Sequence, residues 1–298
     1  MKYYKFFYAA LAVILATSAH AQQAESCTYR VINTFDSSLS ASSDFEMKQG
    51  DTSYGDLSVA SAEFSTGVKM RNDEGLSHSF SLNYSGIYFD IENEAALPLP
   101  DDLNSFELNY MGTMPLDEEW TLLGSISGVW NGSGTSFDSD GLGIGVWLGA
   151  MYVLDENTNF VFGVVYNSLG DHHFIPGVGV EWKMDDQWIL SVGFPKTAIT
   201  YVAQDNLRYS LLVEGHFGAY YVDAEDLNKD LRHYGDTELE YEDYRIALEA
   251  DWDVDKNISL TGKIGCIIES KLDYYKRSYE IESDEGALYM ELGLRTRF

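Results

Sequence analysis

Two cysteines, five prolines and 19 basic residues are all that 298 positions hold of those types. Each scarcity excludes something. Cys27 and Cys266 are too few for a disulfide framework, and a bridge between them needs Cα atoms within about 7 Å. The basic residues face 48 acidic ones, for a net charge of −29. Such a chain repels phosphates, so no nucleic acid is expected as a partner. After residue 21 no run reaches roughly 18 consecutive apolar residues, so no membrane-spanning helix is expected. High negative charge can mean disorder, but 14% aromatic and 45% hydrophobic residues oppose that reading.

What is present begins with an export signal. Lys2 and Lys5 form a basic start, Phe6 to Ala16 an apolar stretch, and Ala19-His20-Ala21 a small-x-small cleavage pattern. Cleavage there removes two lysines and no acid, which takes the balance to −31. The expected organisation is a signal peptide over 1–21, an N-terminal lead over 22–56 that can contain a first strand, and one β-domain over 57–298.

Period-2 alternation recurs along the mature chain. In 286–298, Leu288, Met290, Leu292, Leu294 and Phe298 share one face, opposite Tyr289, Glu291, Arg295 and Arg297. In 244–252, Tyr244, Ile246, Leu248, Ala250 and Trp252 oppose Arg245, Glu249 and Asp251. A half-buried strand of a soluble sandwich also alternates. Two features favour a membrane barrel instead. The segments commonly run longer than the usual strand of about 5–6 residues, and a tilted crossing of a bilayer takes about 9–11. The connections also alternate in length. Tight turns at 72–75, 116–119, 155–157, 185–187, 204–206 and 255–257 are separated mostly by longer polar stretches such as 92–102, 223–238 and 273–285. Short turns on one side and long loops on the other are the layout of bacterial barrels.

The expected fold is therefore all-β, a closed antiparallel up-and-down transmembrane barrel. Thirteen segments fall between the turns. A further strand at 27–35 makes about fourteen, and twelve is the alternative if 187–203, around Pro195, is one bent excursion or the N-terminal piece stays outside. Trp120, Trp130, Tyr152, Trp182, Trp188, Tyr209, Tyr221, Tyr244 and Trp252 lie near strand ends, where interfacial girdles sit.

The alternating strand with Leu292 and Leu294 that ends in Phe298 resembles the assembly signal of bacterial outer-membrane barrels. That resemblance implies recognition by the barrel-assembly machinery, an outer-membrane location, and lipids and lipopolysaccharide as surroundings. Residues 173–298 also resemble an uncharacterised family of outer-membrane barrels. The segments that carry this are Trp188 to Pro195, Ile199 to Tyr201, Leu207 to Tyr221 and Tyr244 to Ile246. That family has no assigned chemistry, so no functional residue comes from it.

The polar faces supply candidates for a lumen lining: Glu63, Lys69, Glu107, Glu181, Lys183, Arg208, Glu214, His216, Arg245, Glu249, Asp251, Lys263, Glu269, Glu291 and Arg295. They either line a water-filled pore or pair across strands and fill it. Asp171-His172-His173 reads as loop polarity, with metal binding the sharper alternative. Ser210, Glu214 and His216 share a face, but about 20 Å of strand separates the serine from the histidine. No catalytic residue and no cofactor is assigned. The acidic loop 223–243 and the stretch 137–141 offer carboxylates to divalent cations, without a full calcium motif. The working function is a passive narrow pore for small solutes or a structural barrel. A barrel enzyme acting on lipid or peptide and a soluble periplasmic β-sandwich binding module remain the alternatives.

Overall fold

The computed structural model describes residues 29–92, 97–134, 136–283 and 285–298. Cys27 and the signal segment lie outside the described residues. The strands are β1 (Arg30–Ser42), β2 (Phe45–Gln49), β3 (Thr52–Arg71), β4 (Ser77–Ile91), β5 (Asp102–Pro115), β6 (Trp120–Ser133), β7 (Leu142–Asp155), β8 (Thr158–Asn167), β9 (Phe174–Lys183), β10 (Trp188–Val192), β11 (Lys196–Gln204), β12 (Leu207–Val222), β13 (Thr237–Asp253), β14 (Ile258–Tyr274), β15 (Tyr279–Ser283) and β16 (Ala287–Arg297).

Fourteen of these close a barrel, all but β2 and β15. Neighbours in sequence pair antiparallel, and β1 seals the ring between β16 and β3. Phe298 extends the seal by exchanging two backbone hydrogen bonds with Asn33 (2.9 and 3.0 Å). Both β10 and β11 are separate strands, paired from Trp188↔Tyr201 to Ser191↔Ala198, which decides for fourteen over twelve. The first strand runs seven residues beyond the expected Phe35.

Four of the six short connections share one device. Asp117, Asp155, Asp185 and Asp255 each turn a side-chain oxygen onto the backbone N–H two residues on, at 2.7–2.9 Å. A carboxylate that satisfies its own turn favours a tight reversal. These turns mark one end of the barrel, the turn end. The longer connections mark the loop end.

The outer face is apolar. Leu211, Leu248, Ile264 and Met290 form one cross-strand row, with relative exposures of 48–63%. On the far side Leu122, Ala150, Phe162 and Val178 form another. Aromatic pairs edge this belt, with ring centroids 4.8 Å apart for Trp120 and Tyr152 and 5.0 Å for Trp188 and Tyr201.

The loop end contains a second, narrower ring. Here β6 and β12 bend together across the tops of β7 to β11: Gly132 bridges Tyr221, and the Asn131 amide donates to the Ala219 carbonyl at 2.9 Å. At the opposite side β2 joins β15 through Lys48↔Glu282. Nine strands, β2 to β6 and β12 to β15, thus close a collar. Its interior is packed with Leu57, Leu103, Leu239, Leu272, Tyr274 and Ile281, all at 0–1% exposure. Leu97 to Pro100, from the β4–β5 connection, is buried in the same core, and the Tyr274 hydroxyl donates to the Pro98 carbonyl at 2.6 Å. Burying each such leucine contributes roughly 1.5–3 kcal/mol.

Opposite consequences are expected for adjacent layers. Leu272→Ala should lower folding stability by about 2–5 kcal/mol through the cavity it opens. Leu248→Arg, at the belt, should cost about 2–4 kcal/mol through the lipid. Urea titration of the folded fraction in lipid vesicles and in detergent separates them. The cost of Leu272→Ala should be the same in both, and that of Leu248→Arg should appear only in vesicles.

Candidate functional site: a charged lumen beneath a sealed mouth

Cross-strand partners lie on one face of a sheet, so the register assigns each side chain a side. By that criterion every lumen candidate except Glu269 faces inward. Glu249, Lys263, Glu291, Ser40 and Ser61 form one continuous inner row across β13, β14, β16, β1 and β3. Glu269 is corrected. A bulge in β14 sets Glu269 opposite Tyr244 and Ile267 opposite Arg245, so Glu269 joins the outer face. The strict alternation assumed from the sequence does not survive that extra residue.

A cavity of about 680 Å³ lies against the charged wall. Lys263 stands in its lining, with its Nζ 3.1 Å from Glu214, 3.3 Å from Glu291 and 3.7 Å from Glu249. Lys196, from β11, reaches Glu249 at 3.3 Å. Two ammonium groups thus meet three carboxylates. Arg295 pairs with Asp36 at 2.6 Å. The other carboxylates of the cavity meet only neutral donors. Glu107 accepts from the Asn83 amide at 2.8 Å, Asp251 from the Thr261 hydroxyl at 2.6 Å and Glu63 from Ser38 at 3.4 Å. Among the described residues none of these three has an ion-pair partner. The cavity lining carries six carboxylates (Asp36, Glu63, Glu107, Glu249, Asp251 and Glu291) against three cations (Lys196, Lys263 and Arg295), a net charge of −3.

Lys69, Lys183, Arg208 and Glu181 lie nearer the turn end, in exposed positions. Arg208 pairs with Asp253 at 3.0 Å.

Between cavity and collar lies a fully buried charged layer. Asp243, at 0% exposure, takes two hydrogen bonds from Arg245 (2.8 and 2.7 Å) and one from Tyr241 (2.6 Å). The Arg245 guanidinium also sits 5.0 Å from the centre of the Tyr289 ring. Sequence reasoning had Arg245 but not Asp243, because Asp243 falls in an acidic run, 238–243, that reads as a solvated loop. At the rim, Tyr275 donates to Glu238; burial, with that carboxylate beside it, pushes the phenol well above its usual range.

The other chemical candidates do not assemble. The Ser210 hydroxyl shares a hydrogen bond with Thr200 (2.8 Å), and His216 stands 3.5 Å from Glu214 instead. His172 is 3.6 Å from Asp171 on the exposed surface, and His173 bonds the Asn167 carbonyl at 2.9 Å. Asp138 caps its own turn by accepting from the Asp140 N–H. Among the described residues no group of three or more His, Cys, Asp or Glu is placed to hold a metal ion.

Removing one partner of the buried layer should be costly. Asp243→Ala strands a buried guanidinium and is expected to cost about 3–5 kcal/mol, whereas Asp243→Leu with Arg245→Met should recover most of it. Thermal unfolding of the three proteins checks this.

Solved structures of outer-membrane channels are similar to this chain to differing degrees. The deltaS2 mutant of the TodX monoaromatic hydrocarbon channel superposes with a TM-score of 0.52 at 9% identity, over 90% of each chain. The Pseudomonas putida toluene transporter TodX gives 0.49 at 10% identity, over 89% of each chain. The COG4313 outer membrane channel from Pseudomonas putida F1 gives 0.48 at 11%, over 90% of this chain and 95% of that one. At such identities the likeness is one of fold. No curated protein matches the sequence. A family model does, over residues 17–295, and by that match the chain belongs to the family described as a domain of unknown function, DUF6268.

Proposed function

We propose that this barrel is a passive, narrow diffusion channel of the bacterial outer membrane that favours cations over anions. The observation that carries the reading is the net-negative cavity, lined mainly by charged and polar side chains, within a wall whose outer face is apolar. Charges that line a lumen without partners set the potential a permeating ion meets. The turn end then faces the periplasm and the loop end the outside. Lipid surrounds the belt, and the closing strand with Leu292, Leu294 and Phe298 is the segment the assembly machinery reads. The fold shared with the TodX channel supports a transport role and carries no solute across to this chain.

One observation favours a second reading, a structural barrel that does not conduct. The collar core seals the loop end, with Leu97 to Pro100 inside it. On the channel reading this core parts briefly, so unitary currents are small and openings short.

Planar-bilayer recording of the refolded protein under a salt gradient tests the choice. The wild type should show stepwise currents with a reversal potential on the cation side, and Glu63→Gln with Glu107→Gln should move it toward zero. Silence from protein shown to be folded and inserted would reject the channel and leave the structural barrel.

A further inference from the structure

The lumen has two unlike walls. Around the ring, β7 to β9 lie across from β14, β16 and β1. The latter group carries Lys263, Glu291, Arg295 and Asp36. The inner face of the former carries Glu181 and Lys183 toward the turn end and is otherwise mainly apolar: the register turns Trp147, Met151, Val161, Val165 and Ile175 inward, and Ile189 continues the strip on β10. Between them runs a row of bare backbone, Gly149↔Gly163↔Gly177, over which the Trp147 indole partly lies. These side chains are not packed away. Val165 and Ile175 are 40% and 39% exposed, and the space over Gly177 is open.

An apolar strip inside a wet lumen loses free energy to water unless something apolar covers it. The charges in the same lumen say what that occupant is. Glu63, Glu107 and Asp251 lack ion-pair partners among the described residues, so they favour a cation. A simple metal ion would leave the strip wet, a neutral hydrocarbon would leave the carboxylates unmatched, and an organic anion would be repelled.

We propose that the lumen selects small organic cations with an apolar or aromatic body, the body lying along Trp147, Val165 and Ile175 and the ammonium group held by the field of Glu63, Glu107 and Asp251. The proposal deepens the channel reading and rests on it for its biological meaning. Binding itself needs no conduction, and that separates the two tests. An ammonium group near an indole face gains a further attraction.

The experiment is titration calorimetry of the refolded full chain in a nonionic detergent, with matched micelle blanks. The probes are benzyltrimethylammonium, tetramethylammonium and benzoate. Benzyltrimethylammonium should bind about tenfold more tightly than tetramethylammonium, through the ring it buries. Benzoate should bind more weakly than either. Glu63→Gln with Glu107→Gln should weaken both ammonium ions by roughly three- to tenfold. Val165→Ser with Ile175→Ser should weaken the benzyl compound alone. Each variant is first shown to be folded by its heat-dependent shift in electrophoresis. Equal affinity for the two ammonium ions, binding of benzoate as tight as that of the benzyl cation, or indifference to both pairs of substitutions would overturn the proposal. Selective binding by a barrel that is silent in bilayers would sink the channel reading and leave the site standing. Conduction without selective binding would do the reverse.

Discussion

Hydrocarbon offers no partner to a backbone N–H or C=O, so a strand in a bilayer must find every partner in another strand. That requirement closes the ring. It explains why β1 pairs with both β16 and β3, and why the ladder continues to Phe298. Closure in turn divides the side chains. Once the sheet meets itself, alternate residues have only two destinations, lipid or lumen. The apolar belt and the charged interior are therefore two consequences of one ladder, read at odd and even positions.

Beyond the belt the same strands face water on the outside, and the constraint relaxes. There β6 and β12 leave the circumference and bring the nine-stranded collar together. Collar and barrel follow opposite rules. In the belt the apolar residues point out and the polar ones in; in the collar Leu239 and Tyr241 of β13 point in, while Glu238, Glu240 and Glu242 point out. The inward face of β13 thus passes from Leu239 through Asp243 and Arg245 to Glu249. The buried ion pair marks where an oil-like interior gives way to a wet one. Such a pair gains less from its own attraction than it would lose on being separated. Its place at this boundary is consistent with a role in holding the collar in register over the lumen.

The belt was legible because its physics has period 2. Segments such as 244–252 and 286–298 announce both faces. Other features hide for stated reasons. The end of β1, Asp36 to Ser42, is rich in serine, which suits a wet lumen and gives no hydrophobic signal, so the visible pattern stops at Phe35. The bulge at β14 displaces Glu269, and no local pattern marks it. The collar depends on pairings between β6 and β12 and between β2 and β15, remote in sequence and each a single bridge. The apolar inner strip was missed for the opposite reason from β1. In Val161-Phe162-Gly163-Val164-Val165-Tyr166 both faces are apolar, so alternation vanishes and the segment reads only as hydrophobic.

That double-sided strip meets the ladder's weakest stretch. On β9 only Val180 to Lys183 have partners on β10; the residues before them pair with β8 alone. Pro176 lies in this stretch, a residue that sheets admit where one edge is open. Backbone groups left without a strand in the belt are tolerable only where water or protein reaches them. Gly177 and Gly179 put no side chain between that edge and the lumen. The opening in the ladder, the glycines beside it and the exposed Val165 and Ile175 therefore fall on one side of the lumen, where bare backbone meets open space over Gly177. A barrel filled by its own paired charges would have no such side. The charges that do pair, around Lys263, occupy the opposite wall and leave this one free.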